Sequence, residues 1–177
     1  MRKRLLVLFV LALPLALAGV AFADDDDDGG SQVDRVRRAT VAYHDINAAI
    51  ADGYTLRLPD AAGLTCIATE KVGGMGVHMV NPSLLDDKLE PQKPEVLVYD
   101  PELRSDGSER LRLVAVEYVI FWSEWDGDRA PKLFGTSFDY VGAGNRYGLD
   151  PFFALHAWIW KRNSSGLFYA WNPRVRC

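Results

Sequence analysis

LRLVAVEYVIF, residues 111–121, is the longest run of strand-forming residues in the chain, and the rest of the fold is read outward from it. A β-strand turns successive side chains to opposite faces. Leu111, Leu113, Ala115, Glu117, Val119 and Phe121 then share one face, and Arg112, Val114, Val116, Tyr118 and Ile120 share the other. Arg112, with Arg110 before it, marks the second face as the one nearer water. Glu117 therefore falls on the core face of a regular strand. A lone carboxylate there costs on the order of several kcal/mol, so it must be protonated, ion-paired or metal-bound.

Two further runs place a titratable ring among apolar neighbours. In FFALHAWIW (152–160), Phe152, Ala154, His156, Trp158 and Trp160 share a face opposite Phe153, Leu155, Ala157 and Ile159. Both faces are apolar, which predicts a central strand buried on both sides. In GGMGVHMV (73–80), His78 shares its face with Gly76 and Val80, while Met75, Val77 and Met79 point the other way. Gly73, Gly74 and Gly76 leave room for backbone or a ligand to approach closely.

The remaining segments supply partners for these strands. YTLRL (54–58), LTCIATE (64–70) and PEVLVYD (94–100) read as strands, and LFYAW (167–171) as the hairpin partner of 152–160 across Asn163–Gly166. Pro82 suits the first position of a helical turn, Asp106-Gly107 marks a turn, and 142–148 is a glycine-rich loop. One helix is predicted over VDRVRRATVAYHDINAAIAD, with Ser31 as N-cap, Asp34 three residues on, and Gly53 as a left-handed stop. Val36, Thr40, Tyr43, Asn47 and Ile50 lie on one side of it, with Ala39 and Ile46 beside them. One helix followed by many strands, with no repeat and no alternating βαβ pattern, points to a single α+β domain. The expected form is an N-terminal amphipathic helix on a curved antiparallel sheet.

The first 23 residues read as a secretory signal peptide: basic Arg2, Lys3 and Arg4, an apolar run from Leu5 to Val20, and cleavage after Ala23. Asp24–Gly30 reads as a disordered acidic leader, and 31–177 as the secreted domain. Removing three of the 20 basic residues leaves 17 against 24 acidic ones, a net charge of −7 for the mature chain. No basic patch interleaved with aromatics occurs, which argues against nucleic acid as a partner. After the signal peptide no apolar stretch is long enough for stable membrane insertion. Cys66 and Cys177, in an oxidising compartment, predict one disulfide that fastens the last residue to the early part of the domain.

Two imidazoles and a carboxylate are the donor set of a zinc, copper or non-haem iron site, so His78, Glu117 and His156 are the candidate metal ligands. Glu117 and His156 are also the candidate catalytic pair for an enzyme acting by acid–base chemistry on a small carbonyl or ester compound. In a third reading these groups satisfy one another and hold the core in register, in an envelope or interaction protein. The three lie far apart in sequence, no H-E-x-x-H motif joins them, and spacing alone does not choose. His44 falls at the helix margin and reads as a surface residue. Met75 and Met79 flank His78 and would suit a soft copper site, though methionine on a strand is usually core filler. No G-x-S-x-G elbow or P-loop occurs, and GAGNRYG (142–148) lacks the strand and helix a dinucleotide fingerprint needs. Asn163-Ser164-Ser165 matches a glycosylation acceptor, relevant only in a eukaryotic host. Trp158, Trp160, Trp171, Phe152 and Phe168 read as hairpin core rather than an aromatic pocket.

Several blocks together resemble an uncharacterised family of exported bacterial proteins. They are Gly74-Met75-Gly76-Val77-His78 with Val80-Asn81-Pro82, then Pro94–Tyr99, then Glu117-Tyr118, then Leu155–Trp160, and Trp171-Asn172-Pro173 through Cys177. The resemblance covers most of the chain after Tyr43. It implies a bacterial, extracytoplasmic protein and supplies no activity, cofactor or catalytic residue. The expected function is that of an exported protein binding a small ligand or a divalent transition metal, zinc or copper, at a buried two-histidine, one-glutamate site.

Overall fold

The opening run forms a single strand of 13 residues, Glu109–Phe121, and the sheet is built around it. The computed structural model describes residues 29–177, so the expected signal peptide and Asp24–Asp28 lie outside the described residues. In chain order the helical elements are α1 (Gly29–Thr40), a 3-10 turn (Val41–His44), α2 (Ile46–Ala51) and a second 3-10 turn (Pro82–Leu84). The strands are β1 (Leu56–Arg57), β2 (Cys66–Thr69), β3 (Gly73–Val80), β4 (Val96–Leu103), β5 (Glu109–Phe121), β6 (Lys132–Leu133), β7 (Thr136–Ser137), β8 (Asp139–Val141) and β9 (Phe152–Ala157). Seven of them make one sheet in the order β1-β3-β4-β5-β9-β8, with β2 also paired to β3, and every pairing is antiparallel. β6 and β7 form a separate ribbon. The α+β class therefore holds.

Two departures from regular alternation decide which side chains meet. Val98 pairs with Ala115 and Tyr99 with Leu113, which leaves Val114 as the extra residue of a β-bulge. Leu113 consequently packs with Val116 and Tyr118, while Ala115 and Val119 pack on the other face. The uninterrupted alternation expected over 111–121 is corrected on this point. So is the assignment of a wetter second face, because Val114, Val116, Tyr118 and Ile120 are all at most 1% exposed. A second bulge sits in β3, where Ile67 pairs with Gly76 and Ala68 with Gly74. Met75 is the extra residue, and it turns to the side of Glu117 and His156 rather than away from His78. Gly76 takes φ +91° there, and a Cβ would come within 2.5 Å of the Tyr99 carbonyl oxygen. The close approach foreseen for these glycines is made by backbone.

The helical region is broken where one continuous helix was expected. Thr40 Oγ1 donates back to the Val36 carbonyl at 2.8 Å, and the chain tightens to 3-10 geometry after it. Asp45 is extended (φ −91°, ψ 112°), and its carboxylate accepts from Asn47 N, restarting the helix as α2. The break rotates the later residues, so Asn47 and Ile50 are exposed while Val33, Val36 and Ala49 are buried against Leu97, Tyr99 and Tyr118. α1 begins at Gly29, two residues before the expected cap at Ser31. Gly53 does take the left-handed conformation, at φ +97°.

At the C-terminal end the expected hairpin is absent. β9 stops at Ala157, and its partners are β5 and β8. Segment 167–171 is irregular and sends one backbone bond to this region, from Trp158 N to the Leu167 carbonyl. Trp160 leaves the His156 face: it lies edge-on to His44 and donates from Nε1 to Thr40 Oγ1. The last residues instead cross β3, where Gly74 bridges Asn172 and Val175 is fully buried on the face opposite the helices. The Cys66–Cys177 disulfide, with Cα atoms 5.6 Å apart, pins that crossing. Closing a loop of 111 residues contributes roughly 4–5 kcal/mol in the chain-entropy account.

Candidate metal centre

His78, Glu117 and His156 come from three strands, β3, β5 and β9, and all project from the face opposite the helices. Glu117 and His156 are direct cross-strand partners. β4 separates β3 from β5 and contributes Val96 and Val98 to this face. Strands two apart lie roughly 10 Å from one another. Only long side chains leaning over short valines close that gap, and an imidazole and a glutamate do so here. The bulge at Val114 matters, because it brings Glu117 onto the His78 side while leaving Leu113 behind.

The three groups form a closed triangle. His78 Nε2 lies 3.4 Å from His156 Nε2 and 3.5 Å from Glu117 Oε2, and His156 Nδ1 lies 3.4 Å from Glu117 Oε1. They are 1%, 6% and 2% exposed for His78, Glu117 and His156. Every contact is longer than the 2.7–3.2 Å typical of a hydrogen bond to these atoms. One proton on His78 Nε2 cannot serve both His156 and Glu117. His156 approaches with both ring nitrogens, Nε2 toward His78 and Nδ1 toward Glu117, and can give a single cation only one of them. One donor atom from each residue can be chosen so that all lie within 4.8 Å of one another. These buried side chains thus lie close enough to bind a metal ion.

Electrostatics favours neutral groups here in the absence of a cation. Burial pushes the Glu117 carboxyl up to about 8, with the Glu95 charge adding to the rise. Burial holds His78 down to about 4, helped by the charge of Arg146 and opposed by the Gly76 backbone. His156 is likewise driven well below the usual imidazole range by burial and then by His78. His78 Nδ1 is buried and makes no well-formed hydrogen bond. Two neutral imidazoles with free lone pairs beside a carboxyl that surrenders its proton to a cation are suitable ligands.

Space flanks Glu117 on both sides. One cavity of about 100 Å³ is lined by His78 and Glu117, and another of about 70 Å³ by Glu117, His156, Met75 and Asp139. Tyr147 and Phe152 line both. Tyr147 was not foreseen: it comes from the glycine-rich loop, and nothing local in GAGNRYG marks it as a site residue. Its hydroxyl donates to Met75 Sδ at 3.9 Å, and its ring lies edge-on to His78. Asn145 closes the loop by donating to the Gly142 and Leu149 carbonyls, and Ala61 N donates to the Arg146 carbonyl from outside. Met79 packs in the helix-side core instead, and His44 is exposed on the first 3-10 turn. Neither belongs to the site. Compared with family models, curated proteins and solved structures, the chain has no match.

Proposed function

We propose that this protein binds one divalent transition metal ion, zinc or copper in the first instance, through His78, Glu117 and His156. The observation that carries the reading is the cluster itself: three buried side chains whose mutual contacts are all longer than a typical hydrogen bond, with one donor atom from each within 4.8 Å of the others. Three protein donors leave a coordination position for an exogenous ligand, the usual arrangement of a reactive or transport site rather than a closed structural one. The disulfide fits an extracytoplasmic protein, in which the signal peptide read from residues 1–23 would be removed.

Acid–base catalysis by Glu117 and His156 is the weaker reading. Glu117 and His156 together line the cavity of about 70 Å³, room for roughly three heavy atoms against the 150 Å³ that accepts benzene, which is too little for a carbonyl or ester substrate. A purely structural role leaves three poor contacts without a reason. Elemental analysis of untagged protein from its native compartment tests the metal reading. Near-stoichiometric metal, lost in His78→Ala and His156→Ala, is expected; metal-free wild-type protein that also takes up none on addition would refute it.

A further inference from the structure

The larger cavity has a distinct composition. His78, Glu117 and Tyr147 are its polar members, and nine apolar side chains make the rest of the wall. Its inner wall is buried, through Val80, Val96 and Val119. Its outer rim is half-exposed to exposed: Leu56 is 43% exposed, and Leu58, Leu85 and Leu149 are partly so. The space therefore runs from an apolar rim to two of the three metal donors. A volume of about 100 Å³, against the 150 Å³ engineered cavity that accepts benzene, is room for roughly three to five carbon atoms.

Charge sets the head group. A divalent cation held by two neutral imidazoles and one carboxylate leaves one unit of positive charge in a site nearly closed to water. Buried net charge is costly until it is neutralised, so an anionic donor is preferred to a neutral one in the remaining position. The walls beyond the metal offer little to a second polar group.

We propose that the open coordination position faces this pocket and takes a short-chain aliphatic carboxylate, its carboxylate on the metal and its hydrocarbon tail along the leucine and valine walls. This rests on the metal-binding reading above. Zwitterionic amino acids are excluded by the same walls, because an ammonium group would be buried there without a partner. Chains longer than about five carbons overrun the rim.

The test uses the metal-free protein loaded with Co²⁺, whose visible absorption reports its coordination, titrated separately with acetate, butyrate and glycine. Butyrate is expected to perturb the spectrum with an affinity about tenfold higher than acetate, from two additional buried methylenes, and glycine is expected to leave it unchanged. Leu85→Trp, which fills the rim, should abolish the butyrate advantage while keeping one Co²⁺ per chain and the acetate affinity. Leu58→Phe provides the same test should Leu85→Trp fail to fold. A chain that takes up no Co²⁺ sinks the metal reading and this inference together. One Co²⁺ bound with equal affinities for acetate and butyrate, with no response to either, or with an undiminished butyrate advantage in the folded variant, overturns the pocket assignment alone.

Discussion

The two faces of the central sheet both bury an apolar cluster and are chemically unlike, and two buried glutamates, Glu95 just before β4 and Glu117 in β5, show the difference. On the helix side, Leu97, Tyr99, Leu113, Val116 and Tyr118 pack against Val36 and Ala49, and burial, with a smaller part from the Glu95 charge, raises the Tyr54 and Tyr118 phenols. Glu95 is 2% exposed, and its Oε2 accepts a hydrogen bond from Val119 N at 3.0 Å. Glu117, on the face away from the helices, has no contact to the two imidazoles shorter than 3.4 Å. Both carboxyls are pushed up to about 8, chiefly by burial. The same burial thus gives one carboxyl a structural partner and leaves the other poised between two lone pairs. Burial alone does not identify a site; the quality of the contacts that repay it does.

The contrast can be broken from the apolar side first. Leu97→Ala removes a fully buried side chain under the helices and should cost about 2–5 kcal/mol, with a matching fall in the denaturation midpoint, while metal stoichiometry is kept. Cys66→Ser with Cys177→Ser should cost about 2–5 kcal/mol as well. Its effect should fall on the other face, where Val175 is buried over β3. Hydrogen exchange would show this as faster labelling of Met75–His78 than of β5 where it faces the helices; uniform acceleration would contradict that placement.

The two glutamates sharpen the comparison directly. Glu95→Leu leaves the Val119 N–H buried without its acceptor and should cost about 1–3 kcal/mol. Glu117→Leu in metal-free protein should be near neutral or stabilising, because no good hydrogen bond is lost. Equal destabilisation by both would mean that Glu117, like Glu95, is held by a stabilising partner.

Stability of the metal-free protein should also depend on pH in a defined way. Both carboxyls bind protons more tightly folded, near 8, than unfolded, near 4.5, so their contribution is complete below 4.5 and is lost as pH rises through 8. The buried imidazoles act oppositely: their contribution is present above 6.5 and is lost as pH falls, toward about 4 in the case of His78. The two trends offset between about 4.5 and 6.5, leaving a net fall in stability from about 6.5 to 8. Denaturation midpoints across that range check it. The fall should shrink in metal-loaded protein, where the Glu117 charge is already compensated.

The large features of the fold are written locally, and the site is written in the pairings. Residues 111–121, 73–80 and 94–100 carry enough β-branched and aromatic residues to be recognised as strands alone. The apolar surroundings of His78, Glu117 and His156 mark all three as buried. That Glu117 sits directly opposite His156 depends on the β5–β9 register, which no short-range pattern encodes. The bulges at Val114 and Met75 are non-local for the same reason, and they move Leu113 and Met75 across the sheet. The break between α1 and α2 was nearer to legible: Thr40 and Asp45 both favour local side-chain to backbone bonds over a continuing helix. LFYAW reads as a strand by composition, but Asn163 Nδ2 holds the Tyr169 and Trp171 carbonyls in a turn structure instead.

The most direct test sets the two buried glutamates against each other in metal binding. Wild-type, Glu95→Gln and Glu117→Gln proteins are stripped of metal, titrated with Zn²⁺ and with Cu²⁺, and followed by bound stoichiometry and by the shift of the melting temperature. One ion per chain and a raised melting temperature are expected for wild type and Glu95→Gln, and at least a ~100-fold loss of affinity in Glu117→Gln, beyond the 10–100-fold typical of removing an outer-shell partner. Binding that survives Glu117→Gln unchanged, or that is lost equally in Glu95→Gln, would contradict it.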